Sequence, residues 1–544
     1  MTFIRNIQSG KNTYRYEVRT YRENGKVKQK TRYIGKVIIK NKKEELISPR
    51  RSFVVETPTQ VRSYGLLSIL YQVAQEWDIV NTINKNNASW RSDNHHGEAI
   101  LLLALNHIVG RQALDRISEW YKRSVIYPRL GTEDLFTKKK LLEAMDSMVY
   151  EDEYGDLHDY TIPITKILSK KYTELLGRSD SGLIYDITEV TSYSENNPYA
   201  DLGYSAINEN NKLVKVCLIT RRDSGIPVTI FINNGCINDK STIKEMIGRL
   251  ELASIKNKNS YILQDRGMVS EENLQLEIDA GFNVISGLTL RRKEVEGLIT
   301  QIEESELLSP KNAIKHGNGF AYVLGGEFSL GKVGGKAIAC LVPDLQNNVR
   351  TARTQALQDA TRELDERNKK RWNKTPPKKI SDIAKGIIES VKRFIELEID
   401  EKRKIVRYHF REAEITKQLR LDGRFAIFSS DKTISDKDIF TAYFSRDVVE
   451  KAFRLNKQEL ELPPLRHWKH RRIISYLQIC FIAYLFQSYL MRKAKCAKIE
   501  MGWTDLKFSL MDIHQIVYKS SKTVFINVTP EQKQVITKLG YLLV

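Results

Sequence analysis

The spacing of hydrophobic and polar positions changes several times along the chain. From residue 3 to residue 40 they alternate in strand fashion around Glu23-Asn24-Gly25, where Asn24 and Gly25 supply the positive φ of a tight hairpin. This predicts a small β module over residues 1–58. From Val61 to about Lys171 the period becomes 3.6, as in residues 97–106 (GEAILLLALN) and 113–120 (ALDRISEW), which predicts a helical region over 59–178. Its lysines at 138, 139 and 140 suit either a DNA-end-binding surface or a solvated helix face.

At Gly182 the pattern shifts to short β-rich runs alternating with amphipathic helices. Strands are predicted at 183–188, 213–220 and 226–232, the last two joined by the turn Arg222-Asp-Ser-Gly225, so that the first three are hairpin-linked and antiparallel. A helix starting near Asp239 or Ser241, a strand at 260–264, a helix opening at Ser270-Glu-Glu-Asn273 and a strand at 282–286 follow. Three hairpin strands followed by β-α-β is the order of an RNase H-like fold, which gives an α/β core with its first part at 179–288.

Beyond Leu288 that order is interrupted. Gly-containing strands at 320–342, a charged stretch, and strands at 404–418 and 424–429 predict a largely β insertion over 289–430. Its most loop-like part, residues 367–379 with Pro376-Pro377, carries seven Lys or Arg around Trp372. Trp372 and Lys379 are thus candidate DNA contacts, and a solvated linker is the alternative. The core resumes over 431–495, and 496–544 forms a C-terminal segment.

Composition narrows the function classes. The chain has 544 residues, enough for three to four domains at roughly 150 residues each. Lys plus Arg number 87 against 67 Asp plus Glu, a formal charge of +20, and 41% of residues are hydrophobic. That combination describes a globular protein with cationic stripes, for which a nucleic-acid backbone is the commonest partner. A membrane is the rival, but the most apolar stretch, 473–486, contains Ser475, Tyr476 and Gln478 and falls short of the roughly 20 residues a bilayer needs. The first residues, MTFIRNIQSGKN, contain no apolar signal core, so the cytoplasm is expected. Five cysteines with no C-x-x-C pair predict neither a disulfide framework nor a cysteine zinc site.

Three acids carry the candidate chemistry. Asp186 is flanked by Leu183, Ile184 and Ile187 in a predicted strand, and Asp265 ends another at the edge where α/β sheets place ligands. Carboxylates on neighbouring strand ends can share Mg²⁺, a hard cation that prefers oxygen donors, and two such ions suit phosphodiester displacement. The third acid lies after Ser435-Asp-Lys-Asp438, which resembles a capping box opening a helix over 439–457. Within it Tyr443, Arg446, Glu450 and Lys457 fall inside roughly a 60° arc at about 100° per residue. An ordinary salt-bridged helix face would look similar, since Arg446 and Glu450 form an i, i+4 pair.

Tyr443-x2-Arg446-x3-Glu450-x6-Lys457 resembles in full the Y-R-E-K signature of bacterial insertion-sequence DDE transposases. Tyr185-Asp186-Ile-Thr188, Leu202-Gly-Tyr-Ser205, Gln264-Asp265-Arg-Gly-Met-Val-Ser-Glu-Glu-Asn273 and Leu465-Arg-His-Trp468 with Arg471-Arg472 are also similar to that family. The likeness spans about residues 180–490. It implies an RNase H-like core with a catalytic, metal-holding triad of Asp186, Asp265 and Glu450, Mg²⁺ as cofactor with Mn²⁺ as substitute, and a β-rich insertion. The 185-residue gap between Asp265 and Glu450 has room for that insertion. The resemblance also implies DNA-phosphate contacts by Tyr443, Arg446 and Lys457. Partners would be double-stranded DNA, as terminal inverted repeats and target, and a second copy in a homodimer on paired ends. Arg266 stands where many relatives have a small residue.

The other motifs are weaker. His95-His96 lacks partners at ligand spacing. Gly331-Lys-Val-Gly-Gly335 lacks the Gly-Lys-Ser/Thr of a P-loop, so no nucleotide cofactor is expected. Trp468 is a candidate for stacking on a flipped base or for packing. The alternatives to a transposase are an RNase H-like structure-specific nuclease and a catalytically silent DNA-binding relative.

Overall fold

The computed structural model describes the chain except for residues 1, 24–25, 41–42, 48–56, 90–94, 131–135, 178–181, 193, 195, 203–211, 256–259, 291, 374, 447–466, 468 and 544. The predicted turn at Asn24-Gly25, the segment 203–205, Glu450, Lys457 and Trp468 lie outside the described residues. The fold is mixed α/β with several sheets and two compact units.

The first unit comprises residues 1–62 with 515–526. Strands Thr2–Ser9, Asn12–Glu23, Lys26–Lys40 and Lys43–Ile47 form an antiparallel meander in sequence order. Val18 is buried at its centre, and a bulge follows Arg15 in the pairing of the two longest strands.

The second unit is built on a ten-stranded sheet. Its principal strands are β1 (Leu183–Thr191), β2 (Lys212–Arg221), β3 (Pro227–Asn234), β4 (Tyr261–Gln264), β5 (Asn283–Leu288), β6 (Ala313–His316), β7 (Gly319–Leu330), β8 (Val333–Leu341) and β9 (Arg424–Ser429). They lie in the order 3-2-1-4-5-9-8-7-6, and Asp201–Leu202 adds a short pairing to β2. β1, β2 and β3 pair antiparallel, β4 pairs parallel with both β1 and β5, and the remaining pairs are antiparallel.

Alternation along the strands gives the sheet two apolar faces. Leu183, Tyr185, Cys217 and Phe231 pack on one side with Ile243, Met246 and Leu250 of helix Ile243–Leu252. Val190, Val214, Val216 and Ile232 pack on the other with Ile473 and Leu477 of helix His470–Cys496. That last helix is 27 residues long, well beyond the apolar run read from the sequence, and is long and apolar enough to cross a membrane. Most of its apolar window, 89%, is buried inside the fold, which makes it a core helix here.

Residues 289–430 differ from the expected β insertion. Strands β6 to β9 continue the main sheet, because β9 pairs with β5 through Leu288↔Ala426 and Ile285↔Ser429. The charged stretch is helix Pro343–Lys369, with Pro343 in its first turn and a Glu363–Arg367 i, i+4 pair at 2.8 Å. Its sparse apolar stripe, Ala360 and Leu364, packs on Trp372, Ile380 and Val406. The strand expected over 404–418 is strand Ile405–Phe410 followed by helix Glu412–Leu419.

Candidate active site

Asp186 lies inside β1, whose backbone pairs on both sides, opposite Leu218 of β2. Its Oδ1 accepts the amide of Ile187 at 3.0 Å. Asp265 is the first residue past β4 and stays extended, at φ −80° and ψ 157°. The recorded β4–β1 register ends at Leu263↔Ile184. Continued by two residues, it sets Asp265 abreast of Asp186, on strands about 4.8 Å apart. A parallel register also puts matched residues on the same face. On that register the two carboxylates share one face of two adjacent parallel strands, Asp186 within β1 and Asp265 just past the C-terminal end of β4. Asp265 keeps 46% of its side chain exposed, so the position is open to a substrate.

Besides helix His470–Cys496, which packs on Val190 and Val214, a second helix approaches this face near β4 and β5. Helix Asp436–Phe444 is capped by Ser435, whose Oγ accepts the Asp438 amide at 3.1 Å. Its first turn is pinned to the sheet, where Asp436 accepts the Gly325 amide at 2.7 Å and pairs with Lys336 at 2.7 Å. At its other end Arg222 Nε donates to Ser445 Oγ at 2.8 Å. The helix thereby delivers Tyr443 and Arg446 to the ends of β4 and β5.

Gly287 explains how Tyr443 fits. One residue beyond Gln264↔Ser286 in the β4–β5 register, Gly287 lies beside Asp265, and a Cβ on it would stand 2.6 Å from the Tyr443 hydroxyl. The phenol occupies the space a side chain would need. Burial pushes the Tyr443 pKa above its ordinary value, with the nearby Arg446 charge opposing.

Arg446 Nη1 donates to the Gln264 carbonyl at 2.9 Å and to Asp265 Oδ1 at 3.2 Å, and its guanidinium lies 4.8 Å from the Tyr443 ring centroid. Its side chain is only 9% exposed. Ser286 Oγ donates to the carbonyls of Gln264 and Asp265, both at 3.2 Å. Asp265 is thus held by its carboxylate and by the peptide on either side. Arg446, expected as a DNA-phosphate contact, here turns its side chain onto Asp265 and the Gln264 carbonyl.

A supporting pair was not anticipated. Gln264 and Glu277 are both fully buried, and Gln264 Nε2 donates to Glu277 Oε2 at 3.1 Å. Desolvation pushes the Glu277 carboxyl up to about 8, so it is neutral over most of the physiological range. The signal was present in the helical spacing, since Glu277 shares a stripe with the buried Leu274 on helix Glu271–Asp279.

The other predicted contacts lie elsewhere. Trp372 is 1% exposed in the cluster formed with Leu364 and Ile380, with its Nε1 donating to Asn368 Oδ1 at 3.0 Å. Its ring is spent on packing, so the expected stacking on DNA does not fit its position. Lys379 is exposed on helix Pro377–Ile387. His95 Nδ1 lies 3.3 Å from Glu98 Oε1, and His96 is buried.

Among the described residues no group of three or more His, Cys, Asp or Glu side chains gathers at one point. The ligands that Asp186 and Asp265 would offer are carboxylate oxygens. Such oxygens suit a hard divalent cation.

No family model and no curated protein sequence matches the chain. Among solved structures it is similar to a piggyBac transposase synaptic complex with hairpin DNA, at 8% identity and a TM-score of 0.38, over 82% of this chain and 78% of that one.

Proposed function

We propose that the chain is a DDE-type DNA transposase of the insertion-sequence kind, with Asp186, Asp265 and Glu450 as its catalytic acids. What supports this reading is the parallel β1–β4 register, which continued by two residues would set Asp186 level with Asp265, together with the Arg446–Asp265 ion pair and the Tyr443 hydroxyl beside Gly287, from the segment that bears the Y-R-E-K spacing. The strand order 3-2-1-4-5, with three antiparallel strands and then two parallel ones, supports an RNase H-like core. Glu450 lies outside the described residues. It follows Arg446 by four positions in the sequence.

The three carboxylates would hold two divalent cations, Mg²⁺ or its substitute Mn²⁺. When bound, these supply an activated attacking oxygen and a stabilised leaving oxygen. Arg446 keeps Asp265 turned toward that position, and Tyr443 fixes Arg446 from beneath. Water would attack the phosphodiester at the element end, breaking the P–O3′ bond to free a 3′-hydroxyl and leave a 5′-phosphate. The 3′-hydroxyl would then attack a target phosphodiester, forming one P–O bond and releasing one target 3′-hydroxyl. Joining both ends calls for two active sites, hence a homodimer on paired inverted repeats.

The test is a strand-transfer assay with labelled duplex ends, a supercoiled target and Mg²⁺. Joined products are expected from the full chain. Cleavage without joining would favour a structure-specific nuclease, and neither activity would remove the enzymatic reading.

A further inference from the structure

The antiparallel meander of the first unit has two unlike faces. Residues 1–62 hold 16 Lys and Arg against five Asp and Glu, a net +11 of the chain's +20. Cross-strand register sorts the side chains. Tyr14, Tyr16 and Tyr33 cluster on the face that buries Val18, with ring centroids 6.0 Å and 5.3 Å apart for Tyr14–Tyr33 and Tyr16–Tyr33. The opposite face carries Arg19, Tyr21, Lys26, Lys28, Lys30 and Arg32, paired as Arg19↔Lys30 and Tyr21↔Lys28, with two acids among them, Glu17 opposite Arg32 and Glu23 opposite Lys26. All six are exposed.

Acids neutralise this face only in part. Arg15 pairs with Glu44 at 2.5 Å and Lys28 with Glu23 at 2.6 Å. Arg19, Lys26, Lys30 and Arg32 have no ion-pair partner among the described residues. Alternate residues on a strand stand about 6.8 Å apart, so the row from Lys26 to Arg32 is about 20 Å long. It belongs to a hairpin whose strands are 12 and 15 residues long. A two-stranded ribbon of this kind is one of the elements that the major groove of B-DNA admits, and its cations would lie along phosphates repeating every ~3.4 Å per strand.

We infer that the hairpin Asn12–Glu23/Lys26–Lys40 is a duplex-DNA-binding surface, engaging the sugar-phosphate backbone through Arg19, Lys26, Lys30 and Arg32. This deepens the transposase reading, and the choice of duplex DNA among polyanions rests on that reading. It also moves part of the DNA grip to the β module, ahead of the helical region where basic punctuation had suggested it.

The test uses the full chain carrying Arg19→Gln, Lys26→Gln, Lys30→Gln and Arg32→Gln together, with a 30-base-pair duplex in EDTA so that cleavage is silent. Binding is measured across a salt series. Each phosphate contact contributes close to one unit to the log-log salt slope, so the slope is expected to fall by about three to four and affinity by more than tenfold at low salt. Affinity and slope within twofold of wild type would overturn the inference, as would tighter binding to single-stranded RNA of equal length. If the quadruple variant fails to fold, Lys30→Gln and Arg32→Gln are tested singly, each expected to lower the slope by about one, and unchanged slopes count against it. A wild-type chain that binds through the hairpin but cannot cleave would sink only the catalytic reading. One that cleaves while the quadruple variant binds normally would sink only this one.

Discussion

Arg446 and Asp265 are joined by an ion pair of 3.2 Å, in which the same guanidinium nitrogen also donates to the carbonyl just before the aspartate. An arginine 181 positions away in sequence thus fixes both the backbone and the carboxylate of a candidate metal ligand. The planar guanidinium also lies 4.8 Å from the Tyr443 ring centroid, a stacking contact that the compact ammonium of a lysine would not keep. Arg446→Lys and Arg446→Ala are expected to lower end cleavage by ten- to a hundredfold while leaving duplex affinity within twofold. Arg446→Ala should also cost about 1–3 kcal/mol of stability, because the buried carbonyl of Gln264 loses a donor. A large loss of DNA affinity instead would restore Arg446 to a phosphate-contacting role.

Gly287 gives a second prediction. A methyl group at this position meets the Tyr443 hydroxyl at 2.6 Å and its ring carbon at 3.2 Å, so Gly287→Ala should displace the phenol and destabilise the chain by about 1–3 kcal/mol. Adding Tyr443→Phe removes the nearer of these atoms. Thermal unfolding and cleavage should both recover in part in the double variant, and additive losses would show that the two side chains do not share that space.

Glu277 makes stability depend on pH. Its folded pKa, about 8, lies above the model-peptide value of 4.5. The unfolded chain therefore gives up this proton first as pH rises. The stability contributed by the neutral acid is fully present below about pH 4.5 and is lost progressively until pH passes about 8, at no more than about 1.4 kcal/mol per pH unit. Glu277→Gln keeps the shape of the neutral acid and its hydrogen-bonding partner, and does not titrate. In denaturant unfolding, the stability of this variant relative to wild type should rise from pH 5 to pH 8. Parallel pH curves would mean that Glu277 is charged in the fold.

Trp372 is predicted to act on stability alone. Trp372→Ala empties a buried site among Leu364, Ile380 and Val406 and should cost about 3–5 kcal/mol, whereas Trp372→Phe should leave duplex affinity unchanged. A weaker DNA complex from a folded Trp372→Phe chain would reinstate it as a contact.

Much of the region 183–288 was legible in the sequence because its strands alternate clearly and its turns carry Gly and Ser. The same pattern located Asp186 and Asp265, since an acid among Leu, Ile and Tyr in a strand stands out. Ser435 announced the helix that carries Tyr443 and Arg446. Helix Pro343–Lys369 was hidden by its composition, because only Gln346, Ala360 and Leu364 are buried and apolar residues such as Leu345 and Val349 are exposed among many polar ones. The joining of β9 to β5 was also hidden, because pairing between residues some 140 apart follows from tertiary packing rather than local periodicity. Sequence could not say which way Arg446 faces. An i, i+4 match to Glu450 and a contact to Asp265 look the same on a helical wheel.

Whether three distant carboxylates act as one unit is tested by Mg²⁺-dependent cleavage of end DNA by Asp186→Asn, Asp265→Asn and Glu450→Gln, each measured beside its duplex affinity. Every variant is expected to lose cleavage by at least a thousandfold while binding DNA within twofold of the unaltered chain. Near-normal cleavage by any one of the three would remove that residue from the catalytic unit and with it the proposed triad.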